Sequence, residues 1–265
     1  MSPLFGIHPN LGVFNIVISV TVLTKNSEET LEATLRSLMP FKEVVLLDTG
    51  STDRTLEIAS QFTNVKIFNA PFEGFGKTHN VASSLASYDF ILSIDSDEIL
   101  TPELASEILS SSLNEKATYS ILRKNYFNGK HITGCAGWHL DYVTRLYHRK
   151  HTAFDLAEVH EKIIQDQLQK IQLNHAMIHV PYRKISDFLS KMQSYSALFA
   201  KEHQGKKKSS LGKAIFHGWA AFIKSYFLKK GFTLGKEGFI ISLYNGQTAF
   251  YKYMKLLEAN KGICN

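Results

Sequence analysis

The sequence predicts an α/β fold on a mostly parallel central sheet flanked by helices, with a helical extension behind it. Three observations carry this. Strand-like apolar runs alternate with helix-like segments through the first half, polar residues gather where those runs end, and after Pro181 the pattern stays helical. Strands that alternate with helices imply parallel pairing.

The first run, IVISVTVL (Ile16 to Leu23), is apolar and β-branched and reads as a buried strand. Ser27 caps the next helix, with Glu28 and Glu29 in its first turn, where the helix dipole favours acids. EVVLLD (Glu43 to Asp48) is the second strand. TGSTD then turns the chain, Ser51 or Thr52 caps, and a helix runs to about Phe62. VKIF (Val65 to Phe68) is a short third strand. A helix from about Lys77 to Ala86 leads into the strand that starts at Phe90 and ends at Asp95. Thr101-Pro102-Glu103 sets a capping hydroxyl, a proline at the first helical position and an acid in order, which starts a helix. Between Ala117 and His151, ATYSILRKNYF and DYVTRLYHR read as strands that extend the sheet. ISDFLSKMQSYSALFAKEH (Ile185 to His203) is amphipathic, Gly205 to Ser210 is a basic loop, and the remainder alternates aromatics with lysines.

A chain of 265 residues suits one large domain or a domain with an appendage. Its net charge of +6 suits phosphate groups or an anionic membrane surface. Nucleic acid is not the expected partner, since no recognised nucleic-acid-binding motif occurs. Cys135 and Cys264 lie far apart and read as free thiols in a reducing compartment. The first 24 residues hold no Lys, Arg, Asp or Glu, yet they lack the basic start and cleavage site of a signal peptide. No segment has the length of a transmembrane helix.

Asp95-Ser96-Asp97, with Glu98 next, crowds carboxylates onto the end of an apolar strand. Like charges repel and raise each other's pKa, so such a cluster is expected to serve a ligand. Ligands of parallel sheets bind beyond the carboxyl ends of the strands. There the first strand offers Thr24 and Asn26, the second Asp48, and the last Asp95 and Asp97. The hard oxygens of a D-x-D suit Mg²⁺ or Mn²⁺, ions usually shared with substrate phosphates.

SVTVLTKN, VVLLDTGSTDRT, GFGKTHNVA and ILSIDSDE resemble, in order, the nucleotide-sugar half of family 2 glycosyltransferases of GT-A fold. GWHLDYVTRLYHR, EVHEKI and YFLKKGFTLGKEGF are similar to bacterial lipopolysaccharide-core β-glucosyltransferases of the WaaE/KdtX type. The resemblance implies an inverting, metal-dependent transfer of a hexose, glucose foremost, from a UDP-sugar to a lipopolysaccharide-core or other lipid-linked saccharide. It implies that Thr24, Asn26 and Asp48 surround the uridine, that Asp95 lies near ribose and diphosphate, and that Asp97 binds the metal with Asp95 beside it. Lys77 and Asn80 match positions facing the nucleotide, while His79 stands where the family has Arg or Lys. His179 matches a late histidine that completes the metal site. Inversion needs a base for the acceptor hydroxyl. EVHEK occupies the place of the family's Glu-Asp pair, so the candidates are Glu158, His160, Glu161 and Asp141, with Glu161 first and Asp141 second. Trp138 reads as core or as a ring that stacks on a sugar face.

The expected division is a glycosyltransferase domain over 1–180 and a basic, aromatic helical extension over 181–265. The domain's nucleotide-sugar half covers about 13–115 and its acceptor half about 116–180. Trp219, Phe222, Tyr226 and Phe227 share one helical face by spacing. Rings and lysines together suit the headgroup zone of an anionic bilayer. The expected location is therefore peripheral, on the cytoplasmic face of a bacterial inner membrane. Two rivals are a phosphatase with a D-x-D at a strand end and a catalytically inactive sugar-nucleotide-binding or membrane scaffold protein.

Overall fold

A computed structural model describes residues 17–156 and 161–262. Glu158, His160, Cys264 and Ile16, the first residue of the opening run, lie outside them. In chain order the elements are β1 (Ile18–Thr24), α1 (Leu31–Ser37), β2 (Glu43–Asp48), α2 (Thr55–Ala59), β3 (Val65–Asn69), α3 (Phe75–Leu85), β4 (Phe90–Asp95), β5 (Glu98–Leu100) and α4 (Pro102–Ser110). There follow β6 (Ala117–Phe127), β7 (Lys130–His131), β8 (Asp141–His148), β9 (Gln169–His179), α5 (Ile185–His203), α6 (Leu211–Ile223) and α7 (Lys236–Asn260). A π turn (Lys224–Leu228) and a 3₁₀ turn (Gly231–Leu234) join α6 to α7.

The chain forms two compact units. The first holds residues up to Ser96, Pro102–Ser120 and Thr144–Leu173; the second holds Asp97–Thr101, Ile121–Val143 and Asn174 onward. In the first unit β3, β2, β1 and β4 lie side by side and parallel. β8 then joins β4 antiparallel, Phe90 opposite His148. β1, β2 and β4 are buried almost throughout, as parallel strands covered on both faces must be. At the start of β2, Glu43 is 3 % exposed and accepts from Ser19, from Lys66 Nζ at 2.7 Å and from the Ser87 amide and hydroxyl at 2.8 and 2.6 Å.

In the second unit β5 pairs antiparallel with the end of β9, Glu98 opposite His179, and β7 pairs with β6. Its core joins Phe127, Ile132, Cys135 and Trp138 to Tyr182, Phe188, Leu234, Ile241 and Tyr244. Cys135 is a free, buried thiol there. Among the described residues no helix is long and apolar enough to cross a membrane.

Three local expectations are corrected. α1 starts at Leu31, and Ser27 turns the chain through its carbonyl, which accepts from the Thr30 and Leu31 amides, while its hydroxyl meets that of Ser96 at 2.9 Å. α2 is shorter than expected and starts at Thr55, because the Ser51 hydroxyl donates to Asp48 and does not cap a helix. On the tail, Trp219 and Phe227 are exposed, but Phe222 and Tyr226 are half-buried, stacked on each other at 5.5 Å.

Candidate active site

In the first unit three adjacent parallel strands end level with one another. Thr24 is opposite Asp48, and Leu23 is opposite Asp95. Asp48 is 2 % exposed. One of its oxygens accepts from the Gly50 and Ser51 amides, both at 2.9 Å, and the other from the Ser51 hydroxyl. That pattern folds the loop beyond β2 back over its own strand end. Asn26, in the left-handed conformation at φ 51°, ties the β1 loop to this one. Its side-chain oxygen accepts from the Thr52 amide at 2.8 Å, and its own amide donates to Ser51 Oγ at 2.9 Å. Within this tied pair of loops the Thr24 hydroxyl is buried and has no protein partner among the described residues. Lys77 stands exposed in the first turn of α3.

Asp95, partly exposed at the end of β4, is ion-paired with the buried Arg145 of β8. Glu161 faces His79 of α3, Oε1 to Nε2 at 3.8 Å, with its side chain 18 % exposed. The other ring nitrogen of His79 lies 3.1 Å from Ser93 Oγ, and its ring stacks on Phe154 at 4.3 Å. Burial pushes the Glu161 carboxyl above the ordinary carboxylate range, and the charge of Asp95 adds to the push. A carboxylate so raised holds a proton more readily, which suits a general base.

The second unit carries Asp97. Its carboxylate lies 3.5 Å from His179 Nε2. His179 Nδ1 donates to Asn125 Oδ1 at 2.6 Å, because the Asn125 amide nitrogen is committed to the Trp138 carbonyl at 2.8 Å. In the neutral ring, Nε2 then bears the lone pair on the side of Asp97. A carboxylate beside an imidazole oriented through its far nitrogen fits a divalent cation. Among the described residues no three His, Cys, Asp or Glu side chains gather as a complete metal cage. Mg²⁺ and Mn²⁺ sites take few protein ligands when substrate phosphates supply the rest. Asp141, by contrast, is engaged by Arg123 at 2.7 and 2.8 Å, and Arg123 also holds Glu98 at 3.0 Å.

Two candidate side chains are engaged within the protein. Trp138 is 6 % exposed and stacked on Tyr182 at 5.5 Å, so it is core and presents no face to a sugar. Asn80 accepts from the Phe154 amide and donates to its carbonyl, both at 3.0 Å. Its amide clamps that backbone. The sequence reading had no role for Arg145, Arg123 or Asn125 and left His79 without one. The available signal was an arginine set among apolar residues in DYVTRLYHR, since a buried guanidinium requires a carboxylate.

The model of the family described as Glycosyl transferase family 2 matches residues 19–154. An uncharacterized glycosyltransferase of Rickettsia bellii (strain RML369-C) is 30% identical over 257 residues, 91% of this chain and 86% of its own length. The lipopolysaccharide core biosynthesis glycosyltransferase LpsC of Rhizobium meliloti (strain 1021) is 25% identical over 255 residues, 91% of this chain and 92% of its own. Among solved structures, the mannosyltransferase PcManGT of Pyrobaculum calidifontis, in complex with GDP-Man and Mn2+, aligns with a TM-score of 0.51 at 14% identity, covering 94% of this chain and 88% of that one. The shared architecture is the GT-A arrangement expected from the sequence.

Proposed function

The chain belongs to glycosyl transferase family 2, and on that footing we propose that it moves a hexose from a UDP-sugar to a lipopolysaccharide-core or other lipid-linked saccharide, with inversion. One observation carries the reading. Thr24, Asp48 and Asp95 end three adjacent parallel strands at one level, the edge where such sheets bind nucleotides. The acceptor class is supported by the similarity to LpsC across nearly the whole of both chains.

In this reading the β1 and β2 loops hold the uridine, with the Thr24 hydroxyl, which has no protein partner among the described residues, available to it and Asp48 keeping the loop in shape. Asp95 lies toward ribose and diphosphate, steadied by Arg145, and Lys77 offers its ammonium to the phosphates. Glu161 takes the proton from the acceptor hydroxyl as that oxygen bonds to the anomeric carbon and the bond to the diphosphate breaks on the opposite face. Asp141 is the second candidate, disfavoured by its grip on Arg123. Asp97 and His179 would hold Mg²⁺ or Mn²⁺, which supplies positive charge against the departing diphosphate. A cytoplasmic donor and a lipid-linked acceptor agree with work at the inner face of a bacterial inner membrane.

The test incubates purified protein and Mn²⁺ with UDP-glucose, UDP-N-acetylglucosamine and GDP-mannose, with and without core-deficient lipopolysaccharide. Release of UDP that rises with the acceptor is expected. Tight nucleotide binding without turnover on any acceptor would overturn the reading.

A further inference from the structure

α6 is apolar nearly all round. One face, through Ala214 and Gly218, is buried at α7, and the backbones nearly touch there: a Cβ on Gly246 would lie 3.1 Å from the Gly218 carbonyl oxygen. The flank beside it carries Leu211, Ile215, Phe216, Trp219 and Ile223. All are exposed, Phe216 by 68% and Trp219 by 64%. A helix hydrophobic on every side is a covered helix, and a contiguous exposed apolar stripe marks a surface that something covers. Its thirteen residues reach roughly 20 Å, less than the ~30 Å hydrocarbon core of a bilayer, so it can lie in a membrane surface but not cross it.

The charge beside this stripe names the occupant. Residues 204–262 hold eleven lysines and two glutamates, Glu237 and Glu258. Lys207 Nζ lies 5.1 Å from the Tyr253 ring and 5.5 Å from Phe199, and Lys252 Nζ lies 5.6 Å from the same Phe199. His217 of α6 stacks on Tyr253 at 4.0 Å, which joins this basic cluster to the helix. These ammonium groups gather positive charge beside the helix, and such charge attracts an anionic partner. A second copy of the chain is a poor cover, because a two-fold contact would set these lysines against their own copies.

We propose that this face docks the protein on an anionic bilayer, with the α6 stripe at the boundary of headgroups and acyl chains and the Lys207 and Lys252 ammonium groups toward lipid phosphates. The inference sharpens the membrane location given above, yet its test reads binding without turnover, so the two fail separately. The full chain is floated with phosphatidylethanolamine–phosphatidylglycerol vesicles and with phosphatidylcholine vesicles. Flotation is expected with the first, partly lost as salt rises. Lys207→Glu with Lys252→Glu should weaken low-salt binding about tenfold or more, and Phe216→Ser with Trp219→Ser should weaken it at every salt. Melting temperature and lipid-free UDP release stay unchanged in both. Should the first pair unfold the chain, Lys213→Glu with Lys224→Glu makes the same test on exposed positions. Absence of flotation at any salt, or undiminished flotation of folded variants, overturns the proposal. So does a lipid-free dimer that Phe216→Ser with Trp219→Ser dissociates.

Discussion

Asp48 commits its carboxylate to its own loop, Asp141 is taken up by Arg123, and Glu161 keeps an oxygen toward the His79 imidazole. The three acids should therefore respond differently to loss of charge. Glu161→Gln should cut turnover by roughly two to four orders of magnitude, the range for a lost general base, with donor affinity by calorimetry unchanged. Burial raises the Glu161 carboxyl, and a base must be ionised to act, so the acid limb of the rate profile should lie above the ordinary carboxylate range. A normal acid limb, or a dead Asp141→Asn beside an active Glu161→Gln, would reverse the ordering. Asp97→Asn should lower transfer by about 100-fold or more, as for a lost group that stabilises developing charge, and flatten its dependence on Mn²⁺ while the melting temperature holds. Asp95 and Asp97 stood out in the sequence as candidates, because carboxylates crowding a strand end have no structural excuse. Their partners did not. Arg145 lies fifty residues from Asp95 in the chain, and Asn125 fifty-four from His179. The sequence left Trp138 open between core and sugar contact, because Tyr182 and Phe188, the residues that enclose it, follow it at a distance no local pattern reports.

At the scale of elements, the apolar runs of the first half specified β1, β2, β3 and β4 closely, and the amphipathic period specified α5. Helix starts at Ser27 and Ser51 were misplaced because those hydroxyls link loops at neighbouring strand ends, Ser27 to the Ser96 hydroxyl and Ser51 to the Asn26 amide. β5, only three residues long, gave no period to read. The opposite ends of β1 and β2 support a separate prediction. Burial alone would raise the Glu43 pKa, but hydrogen bonds from Lys66, Ser19 and Ser87 carry it down to about 2. A depressed folded pKa adds stability above the unfolded value, and that stability is lost as pH falls from about 4.5 toward about 2. The contribution is on the order of 3 kcal/mol at neutral pH. Urea melts of wild type and Glu43→Gln should differ by that order at neutral pH and converge in acid; a constant difference would mean packing alone.

For the whole molecule, neither unit is a continuous stretch of chain, and Asp95 and Asp97 of one motif belong to different units. The core of the second unit draws four residues from before position 180 and five from after it. A fragment ending at 180 would bare Phe127, Ile132 and Trp138, so it should aggregate or stay open to protease, whereas the full chain resists; a soluble, cooperatively melting fragment would refute this. The same core sets apart the chain's two tryptophans. Trp138 is sealed among rings, while Trp219 stands in solvent on α6. The protein thus carries two intrinsic emitters of separate colour, the buried indole blue and the exposed one red. Unfolding should report through the first, and arrival at a lipid surface should draw the second toward the blue while the first stays still.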